Sequence, residues 1–211
     1  MLSIDIETYS SNDITAGVYK YVESDDFEIL LFAYYDDGEY HVVDLAQGEE
    51  IPDRIIKKIF DPTITKAAYN AQFEITCLSK HFGRKVDPGQ WRCTMVLGAQ
   101  AGYPFGLDAI AKTLKIIEQK DATGKALIKY FCMPCKPTKV NGGRTRNLPI
   151  HDLEKWNNFK GYNVQDVVVE RAVDESLAWF TISEFEMDMW HLDQKINSTG
   201  VKIDLQLVTN A

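Results

Sequence analysis

Residues Leu2 to Thr8 read Leu-Ser-Ile-Asp-Ile-Glu-Thr, and they restrict the fold more than any other stretch of the chain. Leu2, Ile4 and Ile6 alternate with Ser3, Asp5 and Glu7, the period-two pattern of a strand whose successive side chains go to opposite faces. Such a strand turns its aliphatics into a core and sends Asp5 and Glu7 out together on the other side. Two neighbouring carboxylates repel and raise each other's pKa unless a cation neutralises them, and oxygen ligands suit a hard divalent ion such as Mg²⁺ or Mn²⁺. A half-exposed strand with an ordinary polar face would carry the same pattern, so partners for the pair must come from elsewhere.

The totals allow those partners to be distant. With 211 residues, 45 % of them hydrophobic, the chain can bury one sizeable core, and a domain of about 180 residues with an appendage is expected. No stretch of 18 or more apolar residues suggests a membrane span, and the acid-interrupted start is unlike a secretion signal, so the cytosol is the expected compartment. Cys77, Cys93, Cys132 and Cys135 are too few and too unevenly spaced for a disulfide framework. Cys132-Met133-Pro134-Cys135 lacks the second pair that a zinc site needs. The net charge of −8 argues against a nucleic-acid partner, but its distribution reverses that inference. From Ala122 to His151 there is no acid, while Lys125, Lys129, Lys136, Lys139, Arg144 and Arg146 supply +6, leaving −14 for the remainder. Acids gathered around a metal and bases in one flexible segment would suit a phosphodiester enzyme; a solvated basic loop would look the same.

Along the chain, the run Phe27 to Tyr35, the turn Asp37-Gly38 and the run Tyr40 to Leu45 predict a hairpin, so that the first three strands form a meander. Ile51, Ile55, Ile56 and Ile59 predict a helix from Glu49 to Phe60, ended by Asp61-Pro62. Thr63 to Tyr69 reads as a buried strand, and Asn70 opens a helix to about Phe82 that Gly83 closes. Short helices are expected over Thr94 to Ala101, Gly106 to Leu114 and Thr123 to Phe131. Cys132 to Pro149, with three prolines and Gly142-Gly143, is a long loop. His151 or Asp152 caps a long helix running towards Phe180, and another spans about Ser183 to Ser198.

That long helix carries Tyr162-Asn163-Val164-Gln165-Asp166, in which Tyr162 and Asp166 share one face a turn apart. Taken together, Asp5 with Glu7, Tyr69-Asn70-Ala71-Gln72-Phe73-Glu74, and Tyr162 with Asp166 resemble, in order and separation, the three motifs of the DEDD superfamily of 3′-to-5′ exonucleases. They are most similar to the tyrosine branch that proofreads for phage-type family A DNA polymerases. The histidine branch would place His where Gly161 stands. Trp91-Arg92-Cys93-Thr94, Leu107-Asp108-Ala109-Ile110-Ala111 and Gly124-Lys125-Ala126-Leu127-Ile128 extend the likeness. So does the tail from Leu192 to Asp204, which resembles the entry into a polymerase region. One departure is Glu74, where the family commonly has Asp; the extra methylene carries the carboxylate outward by roughly 1.3 to 1.5 Å.

The resemblance implies a ribonuclease-H-like α/β fold, a mixed five-stranded sheet flanked by helices. It implies an exonuclease domain over residues 1–180 and, over 181–211, a linker helix with the start of a truncated polymerase region. Asp5, Glu7, Glu74 and Asp166 would hold two divalent ions, Mg²⁺ or Mn²⁺, roughly 3.5 to 4 Å apart, to activate water and stabilise both reacting oxygens. Tyr162 would hold the attacking water. Thr8, Asn70 and Phe73 would contact the 3′ end, bases could stack on Tyr103 or Phe105, and Lys136, Lys139, Arg144 and Arg146 would guide the strand. The partners implied are a single-stranded or frayed primer 3′ end and a polymerase module of the same chain, in the host cytoplasm if phage-encoded. An exoribonuclease of the same superfamily, or a noncatalytic nucleic-acid-binding module with a decayed site, are the rival readings.

Overall fold

The structure, a computed structural model, describes residues 1–117 and 124–210. The acid-bearing stretch forms β1 (Leu2–Tyr9), and a short helix α1 (Val18–Tyr21) leads to β2 (Glu28–Asp36) and β3 (Glu39–Asp44). Asp37 and Gly38 take φ of 50° and 94°, the paired positive values of a tight hairpin turn. α2 (Asp53–Phe60) starts later than the isoleucine spacing predicts, because Pro52 keeps Ile51 extended and fits only the first turn. β4 shrinks to Lys66–Ala68, since Asp61 holds the Thr63 amide at 2.7 Å in a turn and Asn70 turns the chain with φ 67°. α3 (Gln72–His81) follows, then β5 (Trp91–Cys93), a three-residue strand too short to show a period.

The sheet order is β3-β2-β1-β4-β5, with β1–β2–β3 antiparallel and β1–β4–β5 parallel. β1 is therefore central and covered on both faces. A register shift between Glu7 and Thr8 marks a bulge, a device that re-aims side chains beside sites.

Helices α4 (Thr94–Gln100), α5 (Leu107–Thr113) and α6 (Gly124–Phe131) come next. Thr123, where the last of these was expected to begin, lies outside the described residues. The segment from Cys132 to Leu148 is irregular, as its prolines and glycines demand. α7 (Leu153–Ser176), capped by the Asp152 carboxylate on the Lys155 amide, packs across β1, β2 and β3. Trp156 Nε1 donates to buried Asp44 at 2.8 Å, pinning this helix over the sheet. Trp156, Phe159 and Tyr162 form an aromatic row along it, and Phe131 stacks on Phe159 at 5.5 Å.

The chain divides into two units, Met1–Thr181 and Ile182–Ala211. The second holds α8 (Glu184–Thr199), with Ser183 capping the Glu186 amide, and α9 (Leu205–Asn210). Phe185, Met189, Leu192 and Ile196 stand exposed along α8. Among the described residues no helix is long and apolar enough to cross a membrane.

Candidate active site

Position on β1 sets the first two acids: period two sends Asp5 and Glu7 to the face that α7 covers. From α7, Tyr162, Asp166, Glu170 and Asp174 descend at four-residue intervals, a polar line along the buried face of the helix. Carboxylate oxygens of Asp5, Glu7 and Asp166 all lie within 4.8 Å of one another. Asn163 is completely buried and donates its amide to Asp5 Oδ2 at 2.5 Å, fixing that carboxylate's rotation.

Glu74, in the first turn of α3, stands outside this trio yet feels it. Burial pushes its carboxyl well above the usual range, and Asp5, Glu170 and Glu7 add to the shift. Its Oε2 is buried without a hydrogen-bond partner among the described residues. Behind it, Glu170 is buried, accepts from Thr94 Oγ1 and is pushed up to about 7 by desolvation. Arg92 and Asp174 pair at 2.8 Å one turn further on.

Mutually repelling carboxylates in a dry site, one with an orphaned oxygen, are the chemistry a divalent cation completes. The donors are all oxygen, so the site fits a hard ion.

Tyr162 hydrogen-bonds to Asp166, and burial together with the negative charges of Asp166, Glu7 and Asp5 holds its hydroxyl far above the ordinary phenol range. It is a hydrogen-bonding group that keeps its proton.

Glu7 and Thr8 also line a cavity of about 420 Å³ with Ser10, Tyr21, Phe73 and Met133 among its walls. Thr8 Oγ1 bonds Tyr21 Oη at 2.9 Å, and Phe73 leans on Tyr21 with ring centroids 6.1 Å apart. Cys132 lines the same cavity, its thiol 3.7 Å from Glu7 Oε2. All four cysteines are free. Tyr103 and Phe105 do not line the cavity; Phe105 is exposed, its carbonyl held by the Tyr69 hydroxyl at 2.8 Å.

The residues expected to touch nucleic acid divide. Lys136 and Lys139 are exposed on the loop. Arg144 bonds Asn147 at 2.8 Å, and Arg146 pairs with Glu28 while lying 3.7 Å over the Tyr9 ring, so both help to build the loop. Asn70 is exposed, and its left-handed backbone, which Asn tolerates, starts the turn into α3 through a 2.9 Å bond to the Phe73 amide. Asn163 and Glu170 went unassigned in the sequence, although each lies within one turn of Asp166; helical spacing alone does not say which neighbours of an acid face it.

No family model matches the chain. It is 54 % identical over 212 residues to a DNA polymerase of Bacillus phage SP02, all of this chain and 33 % of that protein. The chain is homologous to a phage DNA polymerase. It spans about a third of the length of that relative. The fold is similar to a nuclease solved in apo form, with TM-score 0.57 and 16 % identity over 92 % of this chain and 79 % of that one. It is also similar to RNase D of Escherichia coli, an exoribonuclease, with TM-score 0.53 and 14 % identity over 92 % of this chain and 44 % of that one. RNase D of Trypanosoma brucei, solved with RNA, gives TM-score 0.52 and 17 % identity over 85 % of this chain and 56 % of its own. The ribonuclease-H-like fold expected from the motifs is the fold observed.

Proposed function

We propose that this chain is a metal-dependent 3′-to-5′ exonuclease that removes nucleoside monophosphates from single-stranded or frayed DNA ends, as the proofreading part of a polymerase. The observation that carries this reading is the meeting of Asp5 and Glu7 with Asp166, from opposite ends of the first unit, beside the Tyr162 hydroxyl. Homology to a DNA polymerase along the whole chain favours DNA as substrate and a polymerase module as partner.

Asp5, Glu7 and Asp166, with Glu74 close behind, would hold two divalent ions, Mg²⁺ or Mn²⁺. Bound there, the ions would supply charge neutralisation at the scissile phosphate and ease deprotonation of the attacking water. Asn163 keeps the Asp5 carboxylate turned toward the cluster. Tyr162, anchored on Asp166, orients the water by hydrogen bonding and does not act as a base. Thr8 and Phe73 shape an apolar cavity of one-nucleotide size next to Glu7, which would seat the terminal residue and exclude water. Lys136 and Lys139 would meet phosphates further along the strand.

A single strand labelled at its 5′ end tests the reading. It should give a ladder of 3′-shortened products with Mg²⁺ and none with a chelator or in the Asp5→Ala, Glu7→Ala double variant. Binding without cleavage in the unmutated protein would favour a noncatalytic module. An exoribonuclease is the second reading, because the RNase D proteins share the fold. Matched DNA and RNA strands decide: faster trimming of RNA would replace the DNA assignment.

A further inference from the structure

α6 begins with a glycine whose presence its own backbone does not explain. Gly124 is the first residue of α6, a helical position open to most residues. An alanine there would normally favour the helix. Space is the reason instead: a Cβ at Gly124 would lie 2.5 Å from Cζ and 2.6 Å from Cδ2 of Tyr162, and nearer still to Cε2. Real Cβ atoms do not approach ring atoms that closely, and this ring cannot swing aside freely. Phe159 is stacked along it at 6.1 Å with planes 10° apart, and the hydroxyl is engaged by Asp166. Tyr162 is only 2 % exposed, so the backbone at the head of α6 lies directly on the face or edge of the ring and closes it in. The far end of the same segment reaches the other half of the site, where Cys132 meets Glu7.

We infer that Gly124 is a positioning residue for the exonuclease reaction: by having no side chain, it lets α6 clamp the Tyr162 ring and fixes where the hydroxyl stands over the metal-binding acids. The inference rests on the exonuclease reading above and adds a residue that touches neither substrate nor metal. A displaced ring would still leave the four acids and the nucleotide cavity in place. The effect therefore falls on turnover and leaves strand binding alone.

The test is a cycle of variants on the whole protein. Gly124→Ala should lower kcat by on the order of 10- to 100-fold, with KM for a single-stranded DNA changed less than about twofold. In a Tyr162→Phe background, where there is no hydroxyl left to misplace, Gly124→Ala should cause no further loss. Two independent, multiplying losses would overturn the inference, and so would a Gly124→Ala protein with unchanged kcat. Thermal melting supplies a readout that does not depend on turnover. Gly124→Ala should lower Tm when Tyr162 is present and leave it unchanged or raised in a Tyr162→Ala background; the same drop in both would overturn the clamp. An unmutated protein that trims no DNA would sink the exonuclease reading itself, whereas an active parent with an equally active Gly124→Ala variant sinks only this inference.

Discussion

Two buried groups on α7 differ in what they do with a proton. Tyr162 keeps its proton because it is buried and because ionising it would add a fourth negative charge beside Asp166, Glu7 and Asp5. Tyr162→Phe should therefore lower kcat by about 10²-fold through loss of an oriented hydrogen bond, without shifting the basic limb of the pH–rate profile in the range below pH 9. Glu170 is the opposite case, a carboxyl raised from 4.5 to about 7 by desolvation and held by Thr94. Its folded form binds a proton that its unfolded form has released, so the stability it contributes is full below pH 4.5 and lost as pH rises through about 7. Without divalent metal, Tm should fall between pH 5 and pH 8, and Glu170→Gln should flatten that slope; an unchanged slope would place the titrating group elsewhere. Glu74 is shifted in the same direction. Asp5, Glu7, Tyr162 and Asp166 could be read in the sequence because strand and helix periods place them before any packing is known. Asn163, Glu170 and Gly124 could not. Their significance lies in what each meets across the fold: a carboxylate on β1, a threonine on α4 and a ring on α7.

Among the elements, α7 and β1 dominate: one supplies the tyrosine and the last acid, the other the first two. The aromatic row beneath the site ties α7 to α6, with Phe159 fully buried between Phe131 and Tyr162. Phe159→Ala should destabilise the protein by roughly 3–5 kcal/mol in denaturant unfolding, and at temperatures where it stays folded it should turn over more slowly, since the ring beside it loses its support. Most elements were legible, the short helices α4 and α5 included, while α1, β5 and α9 were not. β2 is an unbroken apolar run of strand length, and α7 and α8 are announced by Asp152 and Ser183, which cap them. β4, at three residues, pairs with the parallel edge that β1 offers, and β5, equally short, with the edge that β4 offers in turn. Pro52 delayed α2 by overriding the isoleucine pattern with a backbone constraint.

Across the whole molecule, the proposed function requires an acidic protein of net charge −8 to approach a polyanion with few cations to spare. The basic loop is where it can do so, yet only part of that charge faces solvent. Lys136 and Lys139 are exposed, while Arg144 and Arg146 are engaged with Asn147, Glu28 and Tyr9. Lys136→Ala with Lys139→Ala should weaken binding to single-stranded DNA and reduce the slope of log K against log salt by about 1.4, near 0.7 per phosphate contact. Arg144→Ala with Arg146→Ala should instead show mainly as a lower Tm. Equal slopes for both pairs would remove the distinction. The hydrogen bond between Asn163 and Asp5 joins positions 158 residues apart. During synthesis, then, a ribosome must release nearly all of the first unit before the carboxylate cluster can assemble, and on the proposed function a growing polypeptide is harmless to nucleic acid until that moment.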